Sequence, residues 1–468
     1  MAGTGPAGGV GAYDVLVVGA RCAGAPLATL LARRGARVGV LERATFPRDT
    51  LSSHVFEADA LAFLDRLGLT ERLQATGAPY VTRMRLRLED LELDMDWPQA
   101  PGDVGGLASI RRAVLDPILA DAAAQAGADV RFGAGVRELL RDGERVVGVR
   151  TREGDELRAR LVVGADGRNS TVGALAGARR YNLIPSRRIV YWGFFETVDA
   201  VEPAFVNHRW ADRFVLGIPS DGGLYQALVW AETPELPRFR ADLEGTFMEE
   251  ARRCGPIAEI VDGARRVGRV QGAVRWVGFF REASGPGWVL TGDAGHFKDP
   301  GPGRGIGDAF LQAERLAPAI LAGLDEDLDG EMARWGRWRD REFAEHHWLA
   351  SDVSAPGTVP AVLPELLRGL HRRGRAGLFF DLLNHRARPS RVLSPPRVAA
   401  ATARAVARNP GRRLAVLREV GELLAQEGRR RWLNHRPAYA EPAGDAGATE
   451  VPEGDAAPAG EARAEAGR

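Results

Sequence analysis

The chain has 468 residues, 45% hydrophobic and 27% charged, with 63 basic against 62 acidic residues and a net charge of +1. Such values fit a globular protein of two or three units. With the arginines interspersed among carboxylates, they give no ground for capture of nucleic acid or an acidic membrane. No apolar run is long enough to span a bilayer. The two cysteines, Cys22 and Cys254, form neither a CxxC pair nor a metal-ligand spacing, so no metal is expected and a reducing cytoplasm fits.

Residues 1–12 are Gly-rich, without a basic start or apolar core, and read as disordered rather than as a signal peptide. Tyr13–Val18 reads as a buried parallel strand, Ala23–Arg34 as a helix stopped by Gly35, and Ala36–Leu41 as a second strand. Together they make a βαβ unit. Phe56–Leu67 has helical periodicity and ends at Gly68. Val81–Asp96 alternates as an antiparallel strand pair with one wet face. Val114–Ala126 is predicted helical; Val130–Phe132, Val146–Thr151 and Leu157–Val163 are predicted strands. From Pro185 to Phe280, clusters such as IVYWGFFETV and LYQALVWAE predict a large antiparallel sheet. Trp288–Leu290 returns to the buried-strand pattern, Ile306–Gly323 is helical, and 327–431 is mostly helical and rich in arginine. The segment 436–468 lacks periodicity and reads as disordered.

Three separated segments carry the chemistry. In VLVVGARCAGAPLATLLARRGARVGVLER, Gly19 follows a strand and Gly24 opens a helix, while Arg21 stands where the dinucleotide motif has its middle glycine. A glycine permits the tight turn, another permits close helix–strand packing, and the helix start offers N–H groups to a pyrophosphate. Glu42, followed by Arg43, closes the second strand at the spacing of an acid that holds a ribose. The second segment, LVVGADGRNSTVG, places Asp166 and Gly167 between a strand and a helix, where an aspartate can cap the helix or reach a ligand. The third, WVLTGDAGHFKDPGPGRGIGDAF, holds a Pro/Gly loop whose backbone must approach something closely. It contains Lys298, the one lysine among 63 basic residues. An ammonium is a compact point charge that a guanidinium fork does not replace.

In this order the three segments resemble the signature of FAD-dependent monooxygenases of the para-hydroxybenzoate hydroxylase type, the group A flavoprotein hydroxylases. Geranylgeranyl reductases and flavin-dependent halogenases are relatives. A fourth match, RRAVLDPILADAAAQAG, is similar to the family's R-x-x-L helix start and sets Arg112 near the cofactor phosphates, with Arg111 as its competitor. The resemblance implies an α/β fold with a Rossmann-like FAD-binding domain in 13–184 plus 285–326. Residues 79–108 would contribute to the substrate side, an inserted antiparallel β-sheet substrate domain would occupy 185–284, and a helical region 327–435.

It implies that Gly19, Ala20, Gly24, Glu42, Arg43 and Arg112 line the adenosine and phosphates. Asp166 and Gly167 would lie in the motif shared between FAD and NAD(P)H, and Gly292 and Asp293 at the ribityl chain. Pro300 would lie at the reactive ring edge; Gly303, Arg304, Gly305 and Ile306 would lie under the pyrimidine side, where Arg304 would stabilise charge on reduced flavin. Gly307 and Gln312–Ala313 depart from the family's asparagine and Asp-Ala pair. His54 and Lys298 are the candidate catalytic groups, His54 having as its rival reading a histidine bonded to backbone. His296 is similarly placed near the ring. Cys22 reads as a space-filler.

The implied reaction is NAD(P)H-driven oxygenation, hydroxylation or epoxidation, through a flavin hydroperoxide on a small aromatic or polyketide-like secondary metabolite, with dioxygen as co-substrate. Tyr191, Trp192, Phe194, Phe195, Phe214, Tyr225 and Trp230 are the candidate pocket lining, about half of them core by strand alternation. A geranylgeranyl-type reductase is the alternative. Halogenase chemistry ranks lower, because Phe214 and Leu216 replace the tryptophans of W-x-W-x-I-P and no lysine precedes Lys298. A flavin-binding scaffold without catalysis remains a further class. The C-terminal helices suit a homodimer surface or a pocket lid.

Overall fold

A computed structural model describes residues 13–48, 50, 52–197 and 202–440. The segments 1–12 and 441–468, both expected to be disordered, lie outside them. Residues 436–440 do not follow that expectation: Ala440 N–H donates to Arg180 O at 2.8 Å and Tyr439 packs on Tyr181 at 5.1 Å between ring centroids.

The first sheet is built on five parallel strands in the spatial order Trp288–Leu290, Glu156–Gly164, Tyr13–Val18, Val38–Glu42, Asp129–Phe132. Tyr13–Val18 and Val38–Glu42 are buried on both faces, one covered by helices and the other by residues such as Leu139, Val146 and Val149. The Gly24–Ala32 helix is packed between the sheet and the helices Arg112–Gln125 and Gly305–Asp325. Parallel alignment brings the ends of four adjacent strands to one edge. Gly19, Glu42, Ala165–Gly167 and Gly292–Asp293 all emerge there, the position where open α/β sheets bind ligands. A meander, Val136–Asp142 and Arg145–Thr151, pairs with the first half of Glu156–Gly164; its first strand was not expected.

The second sheet has seven strands in the order Arg265–Ala273, Arg188–Glu196, Leu224–Glu232, Arg213–Pro219, Ala204–Trp210, Arg83–Leu88, Leu91–Asp96. All neighbours are antiparallel except Ala204–Trp210 with Arg83–Leu88. The sequence between 185 and 280 is not wholly sheet. Helices Leu236–Ala241, Leu243–Arg252 and Gly255–Val261 interrupt it and cover one face. The missed signal was Asp242, whose carboxylate accepts from Gly245 N–H at 2.9 Å and caps the second helix.

Strand alternation divides the aromatic residues. Tyr191, Phe195 and Tyr225 pack with Phe239, Phe247 and Ile257 beneath these helices. Trp192, Phe194, Phe214 and Trp230 point to the opposite face, with Trp97, Trp276 and Phe380. All seven candidate lining residues are buried, three in the cluster beneath these helices and four in the cluster on the opposite face.

Phe56 begins no helix. Val55–Glu57 pairs as a strand with Leu107–Ser109, and the helix runs Ala58–Arg66. The C-terminal region is helical, led by Leu328–Val353. From that helix the fully buried Arg339 donates to the carbonyls of Gly295 (3.0 Å) and Arg281 (2.7 Å).

Candidate functional site

The βα turn after Tyr13–Val18 tolerates no side chain at its glycines. Gly19 has φ +108°, and a Cβ there would lie 2.4 Å from Ala165 O. A Cβ on Gly24 would lie 1.8 Å from Gly19 O. The first motif is thus pressed against the second. Glu42 is buried, and its two carboxylate oxygens accept N–H groups of Ala20 and Ala44, each at 3.0 Å. Each oxygen keeps a further lone pair, so the carboxylate both shapes the turn and remains able to accept a hydroxyl. Arg43 is exposed.

Arg112 is buried and forms a two-pronged pair with Asp116, at 2.6 and 3.0 Å. Arg21 reaches the same carboxylate at 3.2 Å. Arg111 is tied instead to Asp221 at the second sheet. Cys22 packs beside Asp116, and burial pushes its thiol up to about 12, consistent with a space-filler.

His54 sits at φ +60°, and its Nδ1 accepts the Arg112 N–H at 3.1 Å. That bond places the proton of a neutral ring on Nε2. His54 therefore caps the start of the Arg112–Gln125 helix, with Trp192 and Phe194 against its ring at 6.3 and 5.5 Å.

Asp166 accepts from Ser170 Oγ, Thr171 N (2.7 Å) and Val172 N (3.1 Å), and so caps a short helix. Burial raises its pKa. Gly167, at φ +80°, has open space where a Cβ would project.

In the third loop, a Cβ on Gly292 would lie 2.6 Å from that of Ala23, so this loop also meets the first. The Gln312 departure acquires a function here, its Oε1 accepting Gly292 N–H at 2.9 Å. Asp293 has no side-chain hydrogen bond among the described residues. Burial pushes its carboxyl up to about 6, opposed by Arg112, Arg168 and Lys298.

The native carboxyl thus holds a proton that the unfolded chain, with an ordinary value of 3.8, releases at lower pH. Stability from this group is present below the unfolded value and is lost as pH rises through the folded one. The Asp293→Asn apoprotein should therefore gain on wild type by roughly 1–2 kcal/mol between about pH 5 and about pH 7. Urea unfolding measures this, and an unchanging gap would refute it.

His296 stacks on Phe280 at 4.2 Å and meets His347 Nδ1 at 3.3 Å. Burial holds its pKa well below the usual histidine value, so it belongs to the packed core. Lys298 is buried and donates to Asp308, in the first turn of the Gly305–Asp325 helix. Asp308 also accepts from His385 Nδ1 at 3.3 Å and lies 3.5 Å from Arg304 Nε. The pair closes the loop that contains Pro300 and Gly303.

Arg304 differs from expectation. Its guanidinium is 2% exposed and is bound to Asp59 (2.7 and 2.8 Å) and Glu57 (3.0 Å). Its charge is held by this acidic cluster, so it supports the loop from behind. Burial pushes Glu57 up to about 8, the Arg304 charge opposing. A Cβ on Gly307 would lie 3.0 Å from the Arg304 guanidinium, which accounts for glycine in place of the family's asparagine. Gly305 is exposed, and the first N–H groups of its helix have no partner within the helix.

Sequence reasoning missed Glu57, Asp59, Asp116, Asp308 and His385. Two were signalled: Asp116 and Asp308 stand four residues after Arg112 and Arg304, the spacing of helical ion pairs.

Three glycine cradles at one sheet edge, an acid without a protein partner and an open helix start fit an adenine-linked flavin. The family model described as FAD binding domain matches residues 12–327, and the chain belongs to that family of flavin-dependent oxidoreductases. Its relatives include monooxygenases, reductases and halogenases. Menaquinone reductase of Mycolicibacterium smegmatis is 29% identical, over 75% of this chain and 86% of its own. 6-Methylpretetramide 4-monooxygenase of Streptomyces rimosus is 36% identical, over 66% and 76%. Among solved structures, a flavoprotein/dehydrogenase from Cytophaga hutchinsonii superposes with TM-score 0.70 at 18% identity, covering 82% of this chain and 95% of that one. Among the described residues, no helix is long and apolar enough to cross a membrane.

Proposed function

We propose that the protein is an NAD(P)H-using FAD monooxygenase whose substrate is a small oxygen-bearing aromatic molecule held between the flavin and the second sheet. The observation that carries this reading is the donor chemistry of the sheet face turned toward His54. Among the described residues, the indole N–H groups of Trp97, Trp192 and Trp230 and the Gln226 Nε2 are buried without a hydrogen-bond partner. Gln226 Oε1 is engaged by Ser109 Oγ at 3.0 Å, which leaves its amide N–H groups to donate. Buried donors left unpaired are costly. A flat apolar ligand bearing hydroxyl or carbonyl oxygens would satisfy them while stacking on the rings.

Bound FAD would accept two electrons from the nicotinamide and activate dioxygen, one oxygen atom entering the substrate and the other leaving as water. The chain's own residues would hold and shield it. The first turn at Ala20 and Arg112 would face the phosphates, Asp293 would take a ribityl hydroxyl, and the Gly303–Ile306 backbone would present N–H groups to the pyrimidine edge. Lys298 and Arg304 would keep that backbone in place rather than touch substrate. The aromatic face would exclude water from the reacting centre.

The second reading is a reductase that saturates an isoprenoid double bond, favoured by the likeness to digeranylgeranylglycerophospholipid reductase 1 of Methanopyrus kandleri over 76% of this chain and 91% of its own. The test is turnover under labelled dioxygen with hydroxylated naphthoquinones, tetracyclic aromatic polyketides and a naphthoquinone bearing an isoprenoid chain. A monooxygenase gives product with one labelled oxygen and consumes equal amounts of NAD(P)H and dioxygen. Product formation without dioxygen would replace the first reading with the second. Failure of NAD(P)H to bleach the flavin would remove both.

A further inference from the structure

The near-neutral total conceals an uneven distribution of charge. Residues 385–436 contain thirteen arginines and three glutamates; Arg386, Arg388, Arg404, Arg408 and Arg430 pair with carboxylates from elsewhere in the fold, and Arg391, Arg397, Arg413, Arg429 and Arg436 have no ion pair among the described residues. This stretch forms the Pro395–Arg408 and Arg413–His435 helices. The second helix is apolar on two sides, about 120° apart around its axis. Val416, Val420 and Leu423 pack inward, and Arg430 binds Asp352 at 2.7 Å. The helical repeat puts Leu414, Leu417, Gly421, Leu424, Gly428 and Trp432 together on the other side. There Leu414 is 83% exposed, Leu417 51%, Leu424 62% and Trp432 56%. Arg413, Arg418, Arg429 and Arg431, all exposed, border or interrupt that stripe.

Four large apolar side chains this exposed on one helix face call for a partner. The charge around them selects which. A second copy of the chain would bring the same unpaired arginines, Arg413 and Arg429 on this helix, and no matching surplus of carboxylates. The segment 441–468 carries seven carboxylates, but apart from alanine and proline its only aliphatic residue is Val451, too little to cover three leucines and a tryptophan. Nucleic acid would answer the arginines and leave the leucines in water. An anionic lipid surface answers both, taking the leucines and tryptophan below its headgroups and the arginines among them.

We infer that the Arg413–His435 helix docks this enzyme onto an anionic lipid surface, lying in the headgroup plane without crossing it. The inference is independent of which oxidation the flavin performs.

The test is flotation of the full-length holoprotein with vesicles of equal parts phosphatidylglycerol and phosphatidylcholine, beside vesicles of phosphatidylcholine alone. The anionic vesicles should bind at least roughly tenfold more protein, and salt should weaken that binding. The Leu417→Ser/Leu424→Ser variant should lose it while retaining bound flavin and NAD(P)H oxidation. Absence of wild-type flotation would overturn the inference, as would a variant that floats equally well. Two other results would do the same: a dimer dispersed by the double substitution without vesicle binding, or tighter binding to duplex DNA than to the vesicles.

Discussion

Arg304→Met is expected to destabilise the folded protein by about 3–5 kcal/mol, the cost of breaking a buried ion pair by removing one partner. Arg304 is the cation that Glu57 and Asp59 share, and Asp308 lies within 3.5 Å of it. Without it, Asp59 loses both of its hydrogen bonds from the guanidinium. Urea unfolding of the apoprotein measures the loss, and a change below about 1 kcal/mol would show the cluster to be neutralised by other means. Adding Asp59→Asn to the variant should restore part of the loss, since an amide removes the uncompensated charge. Arg304→Lys should fall between, because a single ammonium cannot replace a fork that reaches two carboxylates.

Gly19→Val is expected to abolish FAD retention, giving protein without flavin absorbance. The Cβ would sit 2.4 Å from the backbone oxygen of Ala165, an atom that no rotamer change can move. The backbone is also at φ +108°, where a β-branched residue costs about 1–3 kcal/mol before any contact is counted. Relief would require the first and second cofactor loops to separate. Gly35→Ala is the matched control: φ is +86°, but nothing lies within 4 Å of the new Cβ. It should cost about 1 kcal/mol and leave flavin content unchanged. Absorbance per polypeptide and a flavin titration separate the two outcomes. Full flavin content in Gly19→Val would remove the cradle from the account.

The parts of the site that follow from local chain chemistry were readable in the sequence. Gly19 and Gly24 are glycines because backbone meets backbone, and strand ends followed by glycine mark such places without any tertiary knowledge. The division of the aromatic residues at 191–230 followed from the two-residue repeat of a strand. What could not be read depended on neighbours distant in sequence. Phe56 and Glu57 have helical spacing, yet pairing with Leu107 and Ala108 draws them into a strand. Arg304 read as a cofactor contact because the carboxylates that claim it come from residues 57 and 59. Lys298 stood out by composition alone, and the structure gives its physical setting: a buried niche with one carboxylate acceptor, suited to a compact ammonium. The charge surplus of 385–436 was hidden by the average over the whole chain.

Arg339 reaches from the Leu328–Val353 helix to the main-chain oxygens of Gly295 and Arg281, and His385 reaches Asp308 from farther along. A chimaera grafting a relative's C-terminal third onto residues 1–326 would therefore leave dehydrated acceptors facing whatever the donor sequence supplied. Modular recombination in this fold has a seam at residue 327 only if those two side chains travel with the graft.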